Sequence, residues 1–177
     1  TIVYQIVGLT TMKLDKLDVD DYILDLVGPL GKASEIGEMK KAIVIGGGVG
    51  CAIAYPICKK IYNMGIDVIS INGFRNKELV ILEDKFIENS TESITFTNDG
   101  SYGREGFVTL ALEEILLKEK IDCIYACGPL PMLRDIRTLA IENDIPCQIS
   151  LEEKMGCGLG VCLGCAVKTA RSTKENP

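Results

Sequence analysis

At 177 residues the chain is long enough to bury a real core in one domain, with or without a fragment of a second. Its net charge of −6 argues against nucleic acid as a partner, and the absence of histidine excludes His-based acid–base catalysis, His-ligated zinc and Rieske centres. No apolar run approaches the roughly 18–20 residues of a membrane span, and nothing at the start reads as a signal peptide.

The chain opens at Thr1 in what reads as a strand, Ile2–Val7, and a second strand is predicted at Tyr22–Val27, before the turn Gly28-Pro29-Leu30-Gly31. Two strands cannot stand alone. Residues 1–33 therefore read as the end of a β domain that begins elsewhere. From about residue 40 to 150 the pattern is regular. Strands are predicted at Lys41–Ile45, Ile66–Ile71, Ser93–Thr97, Ile121–Cys127 and Pro146–Ile149. Helices are predicted from the glycine run to about Met64, at Lys77–Phe86, at Gly106–Lys118 and at Met132–Glu142. Strands alternating with helices imply βαβ crossovers, hence an α/β domain with a five-stranded, parallel, doubly wound sheet.

Three unusual loops follow strands: Gly46-Gly47-Gly48-Val49-Gly50, Asn98–Gly103 and Cys127-Gly128-Pro129. In the common 3-2-1-4-5 order the first and fourth strands are neighbours, so their loops flank the topological switch point where ligands bind. A glycine-rich strand-to-helix turn lets backbone N–H groups approach a pyrophosphate, although the same glycines also serve tight packing alone. The loop departs from G-x-G-x-x-G, because Cys51 and Ala52 stand where the third glycine belongs. The second strand also lacks the usual terminal carboxylate, which leaves Arg75 and Lys77 as candidates for the adenosine ribose or a 2′-phosphate, or as a solvated basic loop.

Of eight cysteines, Cys51, Cys58, Cys123, Cys127 and Cys147 lie in apolar stretches, where Cys acts as a small buried hydrophobe. The other three, Cys157, Cys162 and Cys165, form C-x4-C-x2-C among glycines, the plant-type [2Fe–2S] spacing without its fourth ligand. Such usage predicts a reducing cytoplasm. Tetrahedral zinc is the competing reading, though zinc sites usually pair two C-x2-C units. Residues 151–177 read as a truncated cysteine lobe.

Taken in order, Gly28-Pro29-Leu30-Gly31, Gly46–Gly50, Asp99-Gly100-Ser101-Tyr102-Gly103, Gly106-Phe107-Val108-Thr109, Ala126-Cys127-Gly128-Pro129 with Met132, and Ser150-Leu151-Glu152-Glu153 before the cysteines resemble the ferredoxin–NADP reductase superfamily. Within it the chain is most similar to the electron-transfer subunit of class 1B dihydroorotate dehydrogenase. A sister group is the small flavoprotein subunit of NADH-dependent ferredoxin–NADP oxidoreductases and sulfide dehydrogenases. The resemblance implies a FAD-binding β-barrel, a nicotinamide-nucleotide domain and a [2Fe–2S] lobe, passing electrons between NAD(P)H, FAD, the cluster and a partner. That partner would be a catalytic flavoprotein subunit or a ferredoxin, in a hetero-oligomer.

By matching positions, Gly46, Gly48, Val49 and Gly50 would hold the pyrophosphate, and Asp99, Gly100 and Ser101 the ribose side. Cys127, Gly128 and Pro129 would lie at the nicotinamide, with Cys127 and Gly128 shaping the reacting pocket. Gly8 and Thr11 would face the FAD phosphates, and Cys157, Cys162 and Cys165 would bind iron. The family's Arg-x-Tyr-Ser/Thr FAD strand is missing, since no arginine precedes Arg75; the chain as given is expected to bind FAD poorly. From another class, a nucleotide-sensing module with a structural zinc clip also fits the residues.

Overall fold

The computed structural model describes residues 2–28, 30–151 and 156–167. The chain divides into two compact units: Thr1–Gln5 with Ser34–Leu151, and Ile6–Ala33 with Glu152–Pro177.

The larger unit is built on six strands: β1 (Lys41–Gly47), β2 (Asp67–Phe74), β3 (Glu92–Thr97), β4 (Arg104–Glu105), β5 (Cys123–Cys127) and β6 (Cys147–Ser150). They lie in the order β4-β3-β2-β1-β5-β6, with every pairing parallel. Dropping two-residue β4 leaves the predicted order of five. Helix α1 (Leu9–Leu14) belongs to the other unit; α2 (Cys51–Asn63), α3 (Glu83–Glu88), α4 (Val108–Leu116) and α5 (Leu130–Glu142) cover the sheet.

Strand alternation sorts the core into two layers. Ile43, Ile45, Ile69, Ile71, Ile124 and Ala126 meet α4 and α5. On the opposite face Ala42, Val44, Val68, Cys123 and Tyr125 meet α2 and α3. Buried on both faces, β1 and β5 read as continuous apolar runs, as central parallel strands must. Residues 34–40 form a strap along this sheet. Ile36 and Met39 pack on the α2 side, and the N–H groups of Lys40 and Lys41 donate to Asp122 Oδ2 at 2.8 and 3.0 Å.

Three sequence readings are corrected. Ile2–Val7 and Tyr22–Val27 are not strands: among the described residues neither has a ladder partner, and α1 lies between them. Their apolar side chains stay exposed, Val7 at 79% and Leu24 at 86%, and a strand without a neighbour has nowhere to send its backbone hydrogen bonds. The helix read over Lys77–Phe86 is a 3₁₀ turn at Lys77–Leu79 followed by α3. Extended Val80 and left-handed Leu82, at φ 60°, break it. The sheet has six strands rather than five, because Arg104–Glu105 adds a short edge beside Phe96 and Thr97. Pro29, the stretch 152–155 carrying Glu152 and Glu153 of the predicted motif, and the tail 168–177 lie outside the described residues.

Candidate active site at the sheet switch point

Gly46 is the centre of the site. It pairs with Asn72 on β2 and with Cys127 on β5, so one row of the sheet carries an amide, a bare backbone and a thiol. All lie at the C-terminal edge of the strands, where the sheet order reverses. Because Gly46 has no side chain, Cys51 of α2 drops into the gap: its Sγ lies 2.6 Å from where a Gly46 Cβ would stand. Cys51 and Cys127 are 0% and 1% exposed. Burial pushes the Cys51 thiol up to about 12, with Cys127 adding to the rise.

The glycines divide by task. A Cβ on Gly50 would meet Cys127 O at 2.5 Å and Gly128 N at 2.8 Å. Gly50 is therefore glycine because two loops close on each other there. Gly48 is different: its φ is +55° and nothing lies within 4 Å of a Cβ placed on it. It lies on the 3₁₀ turn that leads into α2. Val49 follows, half-buried. Gly128, at φ +158°, packs on Gly47 and Met132, and exposed Pro129 precedes α5.

The loops after β2 and β3 are joined. Ser101 donates from both N–H and Oγ to Asp99 Oδ1, at 3.0 and 2.6 Å, and its Oγ accepts the Lys77 N–H at 2.9 Å. The Ser101 hydroxyl, with its N–H, holds the Asp99 carboxyl below the usual carboxylate value. Asp99 thus caps a turn, as a local reading allows, while its N–H donates to Arg75 O at 3.4 Å. Arg75, Gly100 and Ser101 are exposed beside it. Sequence reasoning missed two partners. Asn72, 1% exposed, leaves its Nδ2 without a hydrogen bond and its Oδ1 3.8 Å from Cys51 Sγ; its signal was one amide inside an apolar strand. Glu83 accepts from Thr95 Oγ1 and Tyr102 OH, both at 2.7 Å, at a concavity of about 420 Å³ that includes no residue of the glycine loop or of Cys127–Pro129.

In the second unit, Thr11 is spent on its own backbone. Its Oγ1 accepts from Val7 and Gly8 N–H at 3.1 Å and donates to Gly8 O at 3.0 Å. Cys157 Sγ accepts the Leu159 N–H at 3.3 Å. Hydrogen bonds from the Cys162 backbone, then from Leu159, lower its thiol to about 6. The loop thus brings Cys157 and Cys162 together. Among the described residues no three His, Cys, Asp or Glu side chains gather as a metal-binding group, so Cys165 is not drawn in with them. Gly31 N–H donates to Gly158 O at 3.2 Å, tying the loop to the segment before residue 34.

The dihydroorotate dehydrogenase B (NAD(+)) electron transfer subunit of Listeria innocua is 36% identical over 177 residues, covering 98% of this chain and 67% of its own length. The chain belongs to the dihydroorotate dehydrogenase B electron transfer subunit family. Another member, from Caldanaerobacter subterraneus subsp. tengcongensis, is 40% identical over 168 residues, with 95% of this chain matching 65% of it. The chain thus spans about two thirds of the length of these family members. Residues 152–176 match the iron-sulfur cluster binding domain of dihydroorotate dehydrogenase B. The solved structure of an NADH-dependent reduced ferredoxin-NADP oxidoreductase superposes with a TM-score of 0.82 at 36% identity, covering 92% of this chain and 58% of that one. The matched residues 152–176 take in Cys157, Cys162 and Cys165. Among the described residues no helix is long and apolar enough to cross a membrane.

Proposed function

We propose that the protein is the electron-transfer subunit of a flavin and iron–sulfur oxidoreductase, exchanging electrons between a nicotinamide nucleotide and a partner catalytic subunit of the dihydroorotate dehydrogenase type. The observation that carries this is the open space at Gly48, on the turn that follows β1 at the switch point, where Gly46 pairs with Cys127. The donors fit the groups: N–H groups at a helix start for a pyrophosphate, thiolates with N–H partners for iron.

The cofactors supply the redox chemistry, two electrons arriving as hydride and leaving singly. The chain's residues bind and orient. Gly48 and Val49 offer backbone N–H groups to the dinucleotide phosphates, while Gly46 and Gly50 keep the crevice narrow enough for that approach. Asp99, Gly100 and Ser101 border the ribose, with Arg75 beside them. Cys127, Gly128 and Pro129 wall the nicotinamide pocket and exclude water from it. Cys157, Cys162 and Cys165 would hold the iron of the cluster. Residues 1–33, with Gly8 and Thr11, are assigned to the end of the flavin-binding domain. The NAD(+) in the names of the relatives favours NADH, and the thiol-rich composition favours a reducing cytoplasm.

Anaerobic titration of the full-length protein with NADH and with NADPH tests the proposal. Flavin bleaching and loss of iron–sulfur absorbance are expected with NADH; no response to either nucleotide overturns it. The likeness to the ferredoxin-NADP oxidoreductase supports a second reading, a ferredoxin-linked small subunit. Co-purification with a large partner other than a dihydroorotate-oxidising flavoprotein would decide for that one.

A further inference from the structure

The chain crosses between the larger unit and the second unit three times, after Gln5, before Ser34 and after Leu151. The last two crossings lie beside one hydrogen-bonded point. The side-chain amide of Gln148 on β6 makes a reciprocal pair with the main chain of Glu35: the Glu35 N–H donates to Oε1 at 2.9 Å, and Nε2 donates to the Glu35 carbonyl at 2.5 Å. That carbonyl also accepts the Tyr125 hydroxyl at 2.9 Å. Tyr125 and Gln148 are register partners across β5 and β6, so adjacent strands grip the same peptide. The pair imitates one rung of a β ladder, with a side chain in place of one backbone. Its two bonds run in opposite senses, which fixes the amide orientation.

Gln148 belongs to neither layer of the core. Gln148 is half-buried on the edge strand, and the strap is held independently by Asp122 and by Ile36 and Met39. What Gln148 adds is a link between two backbone exits, one leading to residues 6–33 and the other directly to the cysteine loop. We infer that Gln148 is a positioning residue for the electron transfer proposed above: it clamps Glu35 to β6 and so couples two of the three connections to the second unit, those before Ser34 and after Leu151. The inference rests on the proposed function for its consequence, because electrons cross between groups on separate segments only where their separation is maintained.

Hydrogen exchange and stopped-flow reduction of the full-length protein with its cofactors test it, comparing wild type with Gln148→Ala and Gln148→Glu. The Glu variant keeps the size, but its carboxylate repels the Glu35 carbonyl. In both variants, amide exchange is expected to rise together in the peptides around residues 31–36 and 156–165, by roughly ten-fold for loss of a bonded pair. NADH is expected to bleach the flavin at the wild-type rate, while cluster reduction slows several-fold. Faster exchange confined to residues 31–36, or unchanged cluster reduction beside wild-type flavin bleaching, overturns the inference. If NADH fails to reduce the wild-type flavin, the proposed function falls instead, and joint or separate exchange in the two peptides still decides the coupling.

Discussion

Gly48 and Gly50 stand two residues apart and predict opposite results. Gly50→Ala drives a methyl into the main chain of Cys127 and Gly128, which cannot yield as a flexible side chain would. A loss of about 2 kcal/mol in urea unfolding is expected, as for overpacking elsewhere. Gly48→Ala meets empty space and bears only the left-handed backbone cost, about 1 kcal/mol. Its larger effect is expected on NADH affinity, read by fluorescence titration, since the methyl stands at the open turn. Equal stability loss and unaltered affinity would refute that division. The sequence displayed these glycines without showing which served packing and which access. Cys51 shows why: it fills the place of a Gly46 side chain, a contact invisible until the strand and α2 are set together.

At the scale of elements, the strap is the feature that propensity hides. Residues 34–40 carry no periodic signal, yet Asp122, just before β5, receives the N–H of Lys40 at their end and that of Lys41 at the start of β1. Those bonds, that from Lys40 first, hold the Asp122 carboxyl below its usual value. The folded state therefore takes up this proton less readily than the unfolded chain does. The stabilisation is complete above the unfolded carboxylate range and is lost as pH falls through the depressed value, below about pH 4. Asp122→Asn is expected to lower the urea midpoint at neutral pH and to flatten its fall between about pH 5 and 3. An unchanged acid limb would show that other carboxylates govern it. Strand existence was legible for β1, β2 and β5 as largely apolar runs of strand length, and for β3 and β6 because Ile94 and Phe96, and Cys147 and Ile149, alternate with polar residues. Ile2–Val7 and Tyr22–Val27 have equal apolar character, but a strand is a property of a pair.

For the whole molecule, the open turn at Gly48 and the joined loops after β2 and β3 predict that nucleotide binding stabilises the larger unit. Saturating NADH, at about a hundred times its Kd, should add about 2.7 kcal/mol to unfolding of the full-length protein. A thermal scan with and without nucleotide reads this, and an unmoved midpoint would count against the site. Replacing Cys157, Cys162 and Cys165 together by Ser should abolish bound iron and leave that nucleotide-dependent shift intact. Loss of both would place the cysteine loop within the nucleotide site.

The sequence alone determined the doubly wound sheet, the order of its main strands and the residue types of its loops. Those follow from periodicity, turn residues and cysteine spacing, which are local quantities. Tertiary structure alone decided that Gly50 closes on Cys127 while Gly48 stays open, that Ser101 takes the Lys77 N–H, and that Glu35 is gripped by Gln148. Each of these depends on residues far apart in the chain or on backbone angles set by their neighbours. Their contacts exist only after the sheet has brought its edges together.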